Sequence, residues 1–553
     1  MKKEIYFGSC KKSNTKQLNK YIQMLEKYNE KNYNFEYPFT KGEYNLSYMD
    51  YIKTKKLNYK SLSPEQIFEE LSNLYQCIPN WNNPGTMINV IPPTNLLSVA
   101  TSAYTNMFNP NFAQDTYGGY LIASEFEVIK YMSDLMNWDY KKSRGIFTFG
   151  GKGTNLYATK IALKKADYDS SKKGCDTNKY FMITSKNAHP CHYQVCDWLG
   201  IGSDNCIEVP CMENGQINIM EAENIISKNI ESGKIFLGYN LNGGSTNDLV
   251  IDPIKSIYDM NERICQKYHL NYKPHIHVDF VLGWVFLFFQ NYNFEKNNSL
   301  TLKIIENIKN QALEIKYADS VGIDFHKMGF APYTSSLFMV KNEMDIQLLE
   351  GSNFRKIKDM KFGDYNPYNY TLELTRPSNG SLTALVSLKS LGIEGFQKIF
   401  IELIEMVEFL RKKLSKNKRI SILNRKSSGL ATFFIIKPPE YNNLDISEIL
   451  KLSKNEILKI KEYNVNFSKL ILEDAKSNKI NFVFTSSRSY KYPNTDIALG
   501  ALKLYPMSVF LNKNECNKIC NSIFDEITKY ENNKVDYQNE TYISDNFVYR
   551  ERE

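Results

Sequence analysis

The chain has 553 residues, of which 42% are apolar and 24% charged, and its formal net charge is +8. This length exceeds one ordinary hydrophobic core, so two or three domains are expected in a globular protein. The positive charge is modest and scattered, without a basic stripe interleaved with aromatic residues. We therefore expect no nucleic-acid partner.

The sequence predicts neither a secretory signal nor a membrane span. The apolar part of MKKEIYFGSC is too short for a signal peptide, and the most apolar segment, FVLGWVFLFF at 280–289, has about half the length that a bilayer requires. We therefore expect a cytoplasmic protein without membrane contacts. In that compartment the ten cysteines are expected to be free thiols.

A cluster of potential metal ligands occurs at His189, Cys191, His192 and Cys196. A zinc site usually takes four ligands, with a second pair at a recognisable spacing. The CIEVPC stretch that follows does not have such a spacing. Buried or half-buried thiols are therefore favoured, and no metal site is predicted.

Residues 1–80 predict a polar helical segment. Apolar residues recur with helical period in QLNKYIQMLEKYNEK, and SPEQIFEELSNLY predicts a helix capped by Ser63 with Pro64 at its first position. Such a segment needs another domain or a second subunit to pack on. A loop rich in Pro, Asn and Gly follows at 79–95, and then comes the helical pattern SEFEVIKYMSDLMNW.

Residues 81–380 predict a large α/β domain. Short apolar runs (KYFMITS, KIFLGYNL, HIHVDFVL, SVGIDF) alternate with helical patterns such as NLYATKIALKKA and LTLKIIENIKNQALEI. This alternation is typical of a mostly parallel sheet, in which ligands bind beyond the carboxyl ends of the strands. A smaller α+β domain is predicted at 381–540, and the Asn-rich end at 541–553 is expected to be loose.

Two junctions between predicted strands and loops or helices suggest a site for a charged planar ligand. TFGGKGTN places Gly150 and Gly151 before a helix, where backbone N–H groups and the helix N-terminus can cradle a phosphate. A tight turn without a ligand is the alternative, and the motif lacks the spacing of a nucleotide P-loop. Asp279 ends HIHVD before a very apolar run. There its carboxylate needs a partner, such as a protonated ring nitrogen, unless it caps a helix or is solvated.

His189 and Lys327 occupy two further junctions. His189 precedes a predicted helix, where its ring can pack flat on a planar ligand, although a core or surface histidine is the alternative. Lys327, in DFHKMGF, follows a predicted strand, and partial desolvation beside a second potential cation predicts a lowered pKa and a nucleophilic amine. An ordinary exposed lysine is the alternative. Together, the phosphate cradle, aspartate, histidine and lysine are the parts that hold pyridoxal 5′-phosphate.

HVD at 277–279 and the Asp-x-His-Lys stretch at 324–327 resemble motifs of the group II pyridoxal-phosphate-dependent decarboxylases. The resemblance covers about residues 80–400. It implies the fold type I of pyridoxal-phosphate-dependent transferases, similar to aspartate aminotransferase. It also implies decarboxylation of an L-amino acid to its amine through an external aldimine and a quinonoid. A homodimer with active sites at the interface is expected from the same resemblance.

The resemblance also implies roles for individual residues. Lys327 is expected to form the Schiff base with the cofactor, His326 to contact its phosphate, and Asp279 to pair with its pyridine nitrogen. In the family, the histidine that stacks on the cofactor stands at a fixed distance before a Leu-Gly pair. In this chain that distance leads to His189 rather than to the histidine three residues later. Phe280 departs from the alanine that the family usually has at this position.

The glycine motif departs from the family's Gly-Gly-Thr-Glu-Ala-Asn pattern. Lys152 replaces the threonine and Gly153 the glutamate, so a cation replaces a hydroxyl donor to the phosphate, unless Lys152 points to solvent and the backbone binds the phosphate. GGSTNDLVIDPI resembles a further element of the family. It makes Ser245 and Thr246 candidates for contact with the O3′ side of the cofactor.

Substrate-handling residues are assigned from the same resemblance. GDYNPYNYTLELTRPSNG at 363–380 is the loop in which a tyrosine reprotonates Cα, and Tyr365 is our candidate, with two neighbouring tyrosines left open. Trp81 and Asn89 lie in a segment that resembles the family's substrate-pocket loop. Arg376 is the candidate for holding the α-carboxylate. The amino acid that serves as substrate is not predicted.

Three alternatives remain open from the sequence. An aminotransferase shares the fold and the cofactor, and it too would require an arginine such as Arg376. A carbon–carbon lyase for a phosphorylated amino alcohol is suggested by APYTSS after Lys327. A catalytically silent structural or regulatory relative is suggested by the departures at Lys152, Gly153 and Phe280, whereas the intact Lys327 argues against it.

Overall fold

A computed structural model describes residues 3–42, 47–176, 178–296, 299–351, 354–492 and 495–532. The tail at 541–553, which is predicted to be loose, lies outside these residues. None of the helices within the described ranges combines the length and the apolarity that crossing a bilayer requires.

The chain divides into two compact units. The large unit comprises Thr94–Glu405 and Lys426–Ala431, and the small unit comprises Met1–Pro93, Met406–Arg425 and Thr432–Glu553. The small unit therefore combines N-terminal and C-terminal parts of the chain, although their sequence patterns predict separate segments. The predicted boundaries at 80 and 380 stay predictions.

Most helices form where apolar residues recur with helical period. Ser63 caps α4 through a reciprocal capping box with Pro64 at the first position, as predicted. The helices are α1 (Lys3–Phe7), α2 (Thr15–Asn29), α3 (Tyr48–Lys53), α4 (Pro64–Ser72), α5 (Leu96–Asn106), α6 (Asp115–Gly118), α7 (Ala123–Leu135), α8 (Gly151–Ala166), α9 (Ser170–Lys173), α10 (Cys191–Trp198), α11 (Ile219–Glu231), α12 (Ile254–Lys267), α13 (Leu300–Ala312), α14 (Met344–Glu350), α15 (Asn379–Leu414), α16 (Ile446–Ile449), α17 (Lys454–Lys476) and α18 (Lys513–Asn532).

The strands of the large unit coincide with the short apolar runs. They are β1 (Arg144–Thr148), β2 (Tyr180–Ser185), β3 (Cys206–Val209), β4 (Ile235–Asn242), β5 (His275–Asp279), β6 (Ser320–Asp324) and β7 (Ser336–Val340). Every residue of β1, β2, β5, β6 and β7 is buried, which explains their continuous rather than alternating apolar pattern.

These strands form one sheet in the spatial order β1-β7-β6-β5-β4-β2-β3. Only β7 runs antiparallel to its neighbours β1 and β6, and the other adjacent pairs are parallel. The prediction of a mostly parallel sheet is therefore confirmed. The apolar segment at 280–289 does not extend a strand, because Gly283–Phe289 forms a fully buried 3-10 helix.

The register brings several strand ends to one edge of this sheet. Thr148 at the end of β1 and Asp324 at the end of β6 both pair with Ser336 of β7. Asp279 ends β5 and pairs with Gly322 of β6. The side chains that follow these strands are therefore placed where ligands bind in open α/β sheets.

The small unit contains a second, antiparallel sheet. Its strands lie in the order β10-β11-β9-β8. Helices α17 and α18 pack on its apolar core, together with residues from the end of α15. The helix α15 is interrupted at Gly392, which has φ 59°, so the predicted break near the glycines is confirmed. The strands are β8 (Ile420–Ile422), β9 (Thr432–Ile436), β10 (Thr485–Ser487) and β11 (Ala501–Leu504).

Candidate active site

Lys327 lies in the turn that follows β6. Its Nζ donates a hydrogen bond to Asp324 Oδ2 at 2.9 Å, and the side chain of Asp324 is only 1% exposed. His326 Nε2 lies 3.5 Å from the same oxygen. Gly329 permits this turn, because a Cβ at that position would stand 2.6 Å from the carbonyl oxygen of Phe325. The turn thus fixes an amine beside a buried carboxylate.

The ion pair with Asp324 reverses the direction of the pKa shift that the sequence predicts for Lys327. Burial lowers the pKa, but the nearby Asp324 outweighs burial and raises the pKa of Lys327 above its ordinary value. Burial would raise the pKa of Asp324, yet Lys327 and His326 bring that pKa below its ordinary value. The prediction of a lowered lysine pKa is wrong, because it considered the neighbouring cation and not the carboxylate three residues earlier.

The glycine turn connects β1 to α8, as predicted. Gly150 precedes the helix with φ 133°, a conformation that favours glycine. A Cβ at Gly151 would lie 3.1 Å from Asp324 Oδ2, so the turn closely approaches the ion pair. A Cβ at Gly153 would lie 2.6 Å from Thr148 Oγ1, which explains why this chain has no glutamate at that position.

The other candidates for cofactor contacts lie in the first turn of α8 and in the loop after β4. Lys152 Nζ lies 5.4 Å from the centre of the Trp198 ring, and its charge contributes to the lowered pKa of His189. Ser245 lies after β4, where its Oγ accepts a hydrogen bond from a backbone N–H at 3.1 Å. Thr246 follows it and is half-buried. Their contacts with a cofactor, like the phosphate contact of His326, stay predictions.

Asp279 is the second buried carboxylate at this sheet edge. Its Oδ2 accepts a hydrogen bond from Asn155 Nδ2 at 3.3 Å and lies 3.9 Å from His192 Nε2. Its Oδ1 is buried and has no hydrogen-bond partner among the described residues. A buried carboxylate oxygen without a donor is costly, so this atom is suited to a cationic or N–H ligand.

Two histidines lie near Asp279, at the start of α10. His189 is partly exposed, and its Nδ1 accepts a hydrogen bond from the backbone of Cys191 at 3.2 Å. Burial lowers the pKa of His189, while Asp279 opposes this effect. His192 is fully buried, and burial lowers its pKa to about 4. His189 is thus the more exposed of the two rings, and its predicted stacking on the cofactor stays a prediction.

The ten cysteines are unpaired thiols. Among the described residues, ligand atoms of Cys191, His192 and Asp279 lie within 4.8 Å of one another. Cys196 faces elsewhere, because its Sγ lies 3.4 Å from Met182 Sδ. The three grouped residues belong to the surroundings of Asp279, and the predicted lack of a metal site stays a prediction.

Tyr365 and Arg376 are both held by the buried Glu125. The Arg376 guanidinium forms an ion pair with Glu125, whose side chain is fully buried, and the Tyr365 hydroxyl donates to Glu125 Oε2 at 3.3 Å. Burial and Glu125 raise the pKa of Tyr365 well above its ordinary value. These contacts give both residues a structural role, and the predicted catalytic role of Tyr365 and substrate contact of Arg376 stay predictions.

The predicted substrate residues Trp81 and Asn89 belong to the small unit. Trp81 is half-buried in a turn. Asn89 Oδ1 accepts a hydrogen bond from Lys503 Nζ at 3.4 Å. Burial lowers the pKa of Lys503 to about 8. The predicted substrate contacts of Trp81 and Asn89 stay predictions.

Two residues of this site had no role in the sequence analysis. Asp324 stands in the Asp-x-His-Lys stretch itself, and its position three residues before Lys327, in a turn, was an available signal. Asn155 is the last residue of TFGGKGTN and reaches Asp279, 124 positions further along the chain. No local pattern reveals that contact, because it depends on α8 packing across the sheet.

The residues at this edge fit pyridoxal 5′-phosphate. Asp279 Oδ1, which has no donor within the described part of the chain, suits a protonated ring nitrogen, and Lys327 offers an amine for the aldehyde. Gly150 faces open space at the N-terminus of α8, since a Cβ there would meet no atom within 4 Å. Backbone N–H groups at such a helix start suit a phosphate.

The conserved domain of pyridoxal-dependent decarboxylases matches residues 47–436 of this chain. The chain belongs to the pyridoxal-dependent decarboxylase family. Pyridoxal 5′-phosphate is the cofactor of this family, and its named members are carboxy-lyases. The suspected family and cofactor are thereby confirmed.

Two curated relatives are similar in sequence. "Acidic amino acid decarboxylase GADL1" of Xenopus tropicalis is 24% identical over 353 residues, which are 63% of this chain and 64% of the relative. The chain thus spans just under two thirds of that relative's length. A "probable L-tyrosine/L-aspartate decarboxylase" of Methanosphaera stadtmanae is 24% identical over 395 residues, or 71% of this chain and 87% of the relative.

Solved structures of similar shape confirm the fold. Mouse CSAD in apo form is 16% identical with a TM-score of 0.74, and the match covers 92% of this chain and 99% of that one. Oryza sativa TDC with PLP and tryptamine is 11% identical with a TM-score of 0.73, covering 94% and 99%. The predicted α/β architecture of fold type I is therefore confirmed.

Proposed function

We propose that this chain is a pyridoxal-phosphate-dependent carboxy-lyase that converts an L-amino acid into its amine and CO2. One observation is the main support for this proposal. Lys327 and Asp279 follow the neighbouring parallel strands β6 and β5, and Asp279 keeps a buried carboxylate oxygen without a donor among the described residues. The charge of Asp279 also contributes to the raised pKa of Lys327, so the two groups lie close enough to act on one ligand.

The chain's own residues divide the work of such a reaction. When bound, pyridoxal phosphate supplies an electron-withdrawing ring that takes up the electron pair left at Cα as CO2 departs. Asp279 Oδ1 holds a proton at the ring nitrogen and stabilises its positive charge in a water-poor setting. Lys327 Nζ is the amine that holds the cofactor. Asp324 positions that amine through the 2.9 Å hydrogen bond.

His189 and the glycine turn complete this proposal. His189 lies within the electrostatic reach of both Asp279 and Lys327, which suits a ring that covers one face of the cofactor. Gly150 and the N-terminus of α8 hold the phosphate, and Lys152 adds a cation beside that turn. Burial keeps His189 neutral, so it covers the ring without adding a second positive charge near Lys327.

The contacts of Arg376 bear on the competing aminotransferase reaction. That reaction requires an arginine to hold the α-carboxylate of the substrate. Arg376 is 3% exposed, and Glu125 already neutralises its guanidinium in a buried ion pair. Binding a substrate carboxylate there would require Arg376 to leave or share this pair. The resemblance also assigns Arg376 to the substrate carboxylate in a decarboxylase, so this ion pair bears equally on both reactions, and product analysis is the test that separates them.

We also propose a cytoplasmic homodimer. Exposed aromatic side chains on the large unit support association with a second copy, because water-exposed apolar groups of this size favour burial at an interface. The side chains of Tyr117, Tyr120 and Trp198 are 65%, 81% and 66% exposed. Analytical ultracentrifugation of the full chain tests the dimer, and a monomer at micromolar concentration would contradict it.

Borohydride trapping tests the role of Lys327. The protein is loaded with pyridoxal phosphate, reduced, digested and examined by peptide mass spectrometry. The cofactor mass is expected on Lys327, and the Lys327→Ala variant should lose both the label and the activity. Lys341→Ala is the matched control, since Lys341 lies beyond β7 in the same unit and should be dispensable. Labelling of another lysine in the native protein, or full activity of Lys327→Ala, would contradict the proposal.

Product analysis tests the reaction type and the substrate. The loaded protein is incubated with a panel of carboxyl-labelled L-amino acids, including acidic and aromatic ones, which the names of the curated relatives suggest. Release of labelled CO2 with equal amounts of amine is the expected result. Release of a keto acid instead would favour an aminotransferase. Lack of any product from a protein that binds the cofactor would favour a silent relative.

A further inference from the structure

A continuous chain of hydrogen bonds crosses the buried centre of the large unit and ends at Asp279. Five side chains from α8, β5 and β6 form it, and we call them the relay: Lys165, His275, Ser320, His277 and Asn155. Its links are Lys165 Nζ to His275 Nδ1 at 2.9 Å, His275 Nε2 to Ser320 Oγ at 2.7 Å, Ser320 Oγ to His277 Nδ1 at 2.8 Å, His277 Nε2 to Asn155 Oδ1 at 2.9 Å, and Asn155 Nδ2 to Asp279 Oδ2 at 3.3 Å.

The Lys165 end fixes the direction of the first links. A lysine ammonium can only donate, so His275 Nδ1 must accept and its Nε2 must carry the proton. His275 Nε2 then donates to Ser320 Oγ, whose own hydroxyl proton is free to point to His277. Donation therefore runs from the cation at α8 towards Asp279.

The Asp279 end gives the same direction independently. Asn155 Nδ2 faces three acceptors, namely Asp279 Oδ2, the Gly151 carbonyl oxygen at 3.3 Å and Cys191 Sγ at 3.4 Å, so this atom must be the amide nitrogen. The amide oxygen of Asn155 then accepts from His277, which places the proton of His277 on Nε2. The two ends thus agree on every link between them.

Burial keeps both imidazoles neutral, as the relay requires. His275 and His277 are 1% exposed and lie on the same face of β5, because they are two residues apart in a strand. Burial lowers the pKa of His277 to about 3 and lowers that of His275 well below its ordinary value. A neutral ring with one donor and one acceptor fits each position, and hydrogen bonds aligned in one direction strengthen one another.

We propose that the relay positions the Asp279 carboxylate for the cofactor's ring nitrogen. By donating to Oδ2 only, the relay turns Oδ1 towards the ligand. Its donors all point from the Lys165 cation towards that carboxylate. The five residues are positioning residues, because they act on the cofactor only through Asp279. The inference rests on the proposed function through the role of Asp279.

Two carboxylates lie beside the Lys165 end of the relay. Asp345 Oδ2 accepts a hydrogen bond from Lys165 Nζ at 2.9 Å, and Asp319 Oδ2 lies 3.8 Å from His275 Nδ1. Lys165 therefore stands between a carboxylate and the first imidazole. Its removal takes away the donor to His275 Nδ1, while the Asp279 end of the relay still holds the proton of this ring on Nε2.

Nitrogen NMR of histidine side chains tests the direction without any cofactor. The chain has six histidines, so ¹⁵N-histidine labelling gives a small set of ring signals, which histidine-to-asparagine variants assign. His275 and His277 should both appear as the neutral tautomer with the proton on Nε2. Lys165→Met should leave both tautomers in place and shift the signal of His275 Nδ1, which loses its hydrogen bond from Lys165. Lys164→Met is the matched control, because Lys164 Nζ donates to the Leu348 carbonyl oxygen instead.

Cofactor binding tests the consequence at Asp279. Pyridoxal phosphate is compared with its carbocyclic analogue, in which C–H replaces the ring nitrogen. Lys165→Met should weaken pyridoxal phosphate binding by about tenfold, the size expected for one charge-assisted hydrogen bond, and should leave the analogue's affinity unchanged. Ser320→Ala, which interrupts the relay without changing the charge, should act in the same direction. Lys164→Met should change neither affinity.

The outcomes separate the relay from the proposed function. An Nδ1–H tautomer at either histidine of the native protein would overturn the direction of the relay. Equal loss of affinity for both compounds in Lys165→Met and Ser320→Ala would assign these residues a merely structural role and overturn the proposal. Failure of the native protein to bind pyridoxal phosphate would overturn the proposed function itself, together with the role given to the relay.

Discussion

The Asp324→Asn variant should lower the pKa of Lys327, because it removes the carboxylate that lies 2.9 Å from Nζ. Loss of one partner of a buried ion pair costs about 3–5 kcal/mol, since the other charge is left without compensation. One pH unit of pKa corresponds to about 1.36 kcal/mol, so the pKa should fall by about two to four pH units. The buried amine relieves the cost by releasing its proton.

Competitive acylation measures this pKa without pyridoxal phosphate. A trace of an amine-acylating reagent reacts only with neutral amines, and peptide mass spectrometry follows the yield at Lys327 from pH 6 to pH 12. In the native protein the yield should rise only above the ordinary lysine range, because Asp324 holds the proton on Nζ. In Asp324→Asn the same rise should occur about two to four pH units lower.

The Asp345→Asn variant is the matched control. Asp345 is a half-buried carboxylate of the large unit, and it bonds to Lys165 at 2.9 Å. Its replacement should leave the acylation curve of Lys327 in place. Superimposable Lys327 curves for the native protein and Asp324→Asn would refute the reasoning. A shift of the Lys327 curve in Asp345→Asn would point to a general loosening of the unit.

Two further predictions concern stability. Glu125→Gln should destabilise the protein by about 3–5 kcal/mol, because it leaves the buried Arg376 guanidinium without its anion. Glu127→Gln, which breaks a half-exposed pair, should cost no more than about 1 kcal/mol, and equal losses in urea unfolding would contradict the argument. Lys503→Met should raise the free energy of unfolding at pH 7 by an amount on the order of 3 kcal/mol, because burial lowers the pKa of Lys503 to about 8. Between that pKa and the ordinary lysine pKa, the unfolded chain binds more protons than the folded one. Native stability should therefore rise with pH from about 8 to 10.5, and a constant difference between variant and native protein across this range would contradict the assignment.

The sequence predicts the architecture of the large unit because its strands are fully buried and short. Continuous apolar runs separated by amphipathic helices leave few arrangements other than a mostly parallel sheet. Which segments of the chain form the small unit cannot be predicted in this way. Residues 1–93 and 432–532 lie far apart in the chain, and helical periodicity does not tell which partner covers an apolar face.

The candidate site is predictable where its residues end strands. Asp279 and Lys327 were found because polar groups after buried strands meet at one sheet edge. The direction of the pKa shift of Lys327 is predicted wrongly, because it depends on which neighbour the turn brings closer to Nζ. The relay was missed for a different reason. His275 and His277 share a strand face, but Ser320 and Asn155 come from β6 and α8, 43 and 122 positions away from His277.

Asp279 and Asp324 end neighbouring parallel strands, yet their hydrogen-bond partners differ. Asp324 is already compensated, since Lys327 Nζ and the Ser336 hydroxyl donate to its two oxygens. Asp279 receives an amide N–H on Oδ2, and its buried Oδ1 has no donor within the described ranges. These different partner sets are the reason why we propose Asp279, and not Asp324, as the counter-charge for a protonated ring nitrogen.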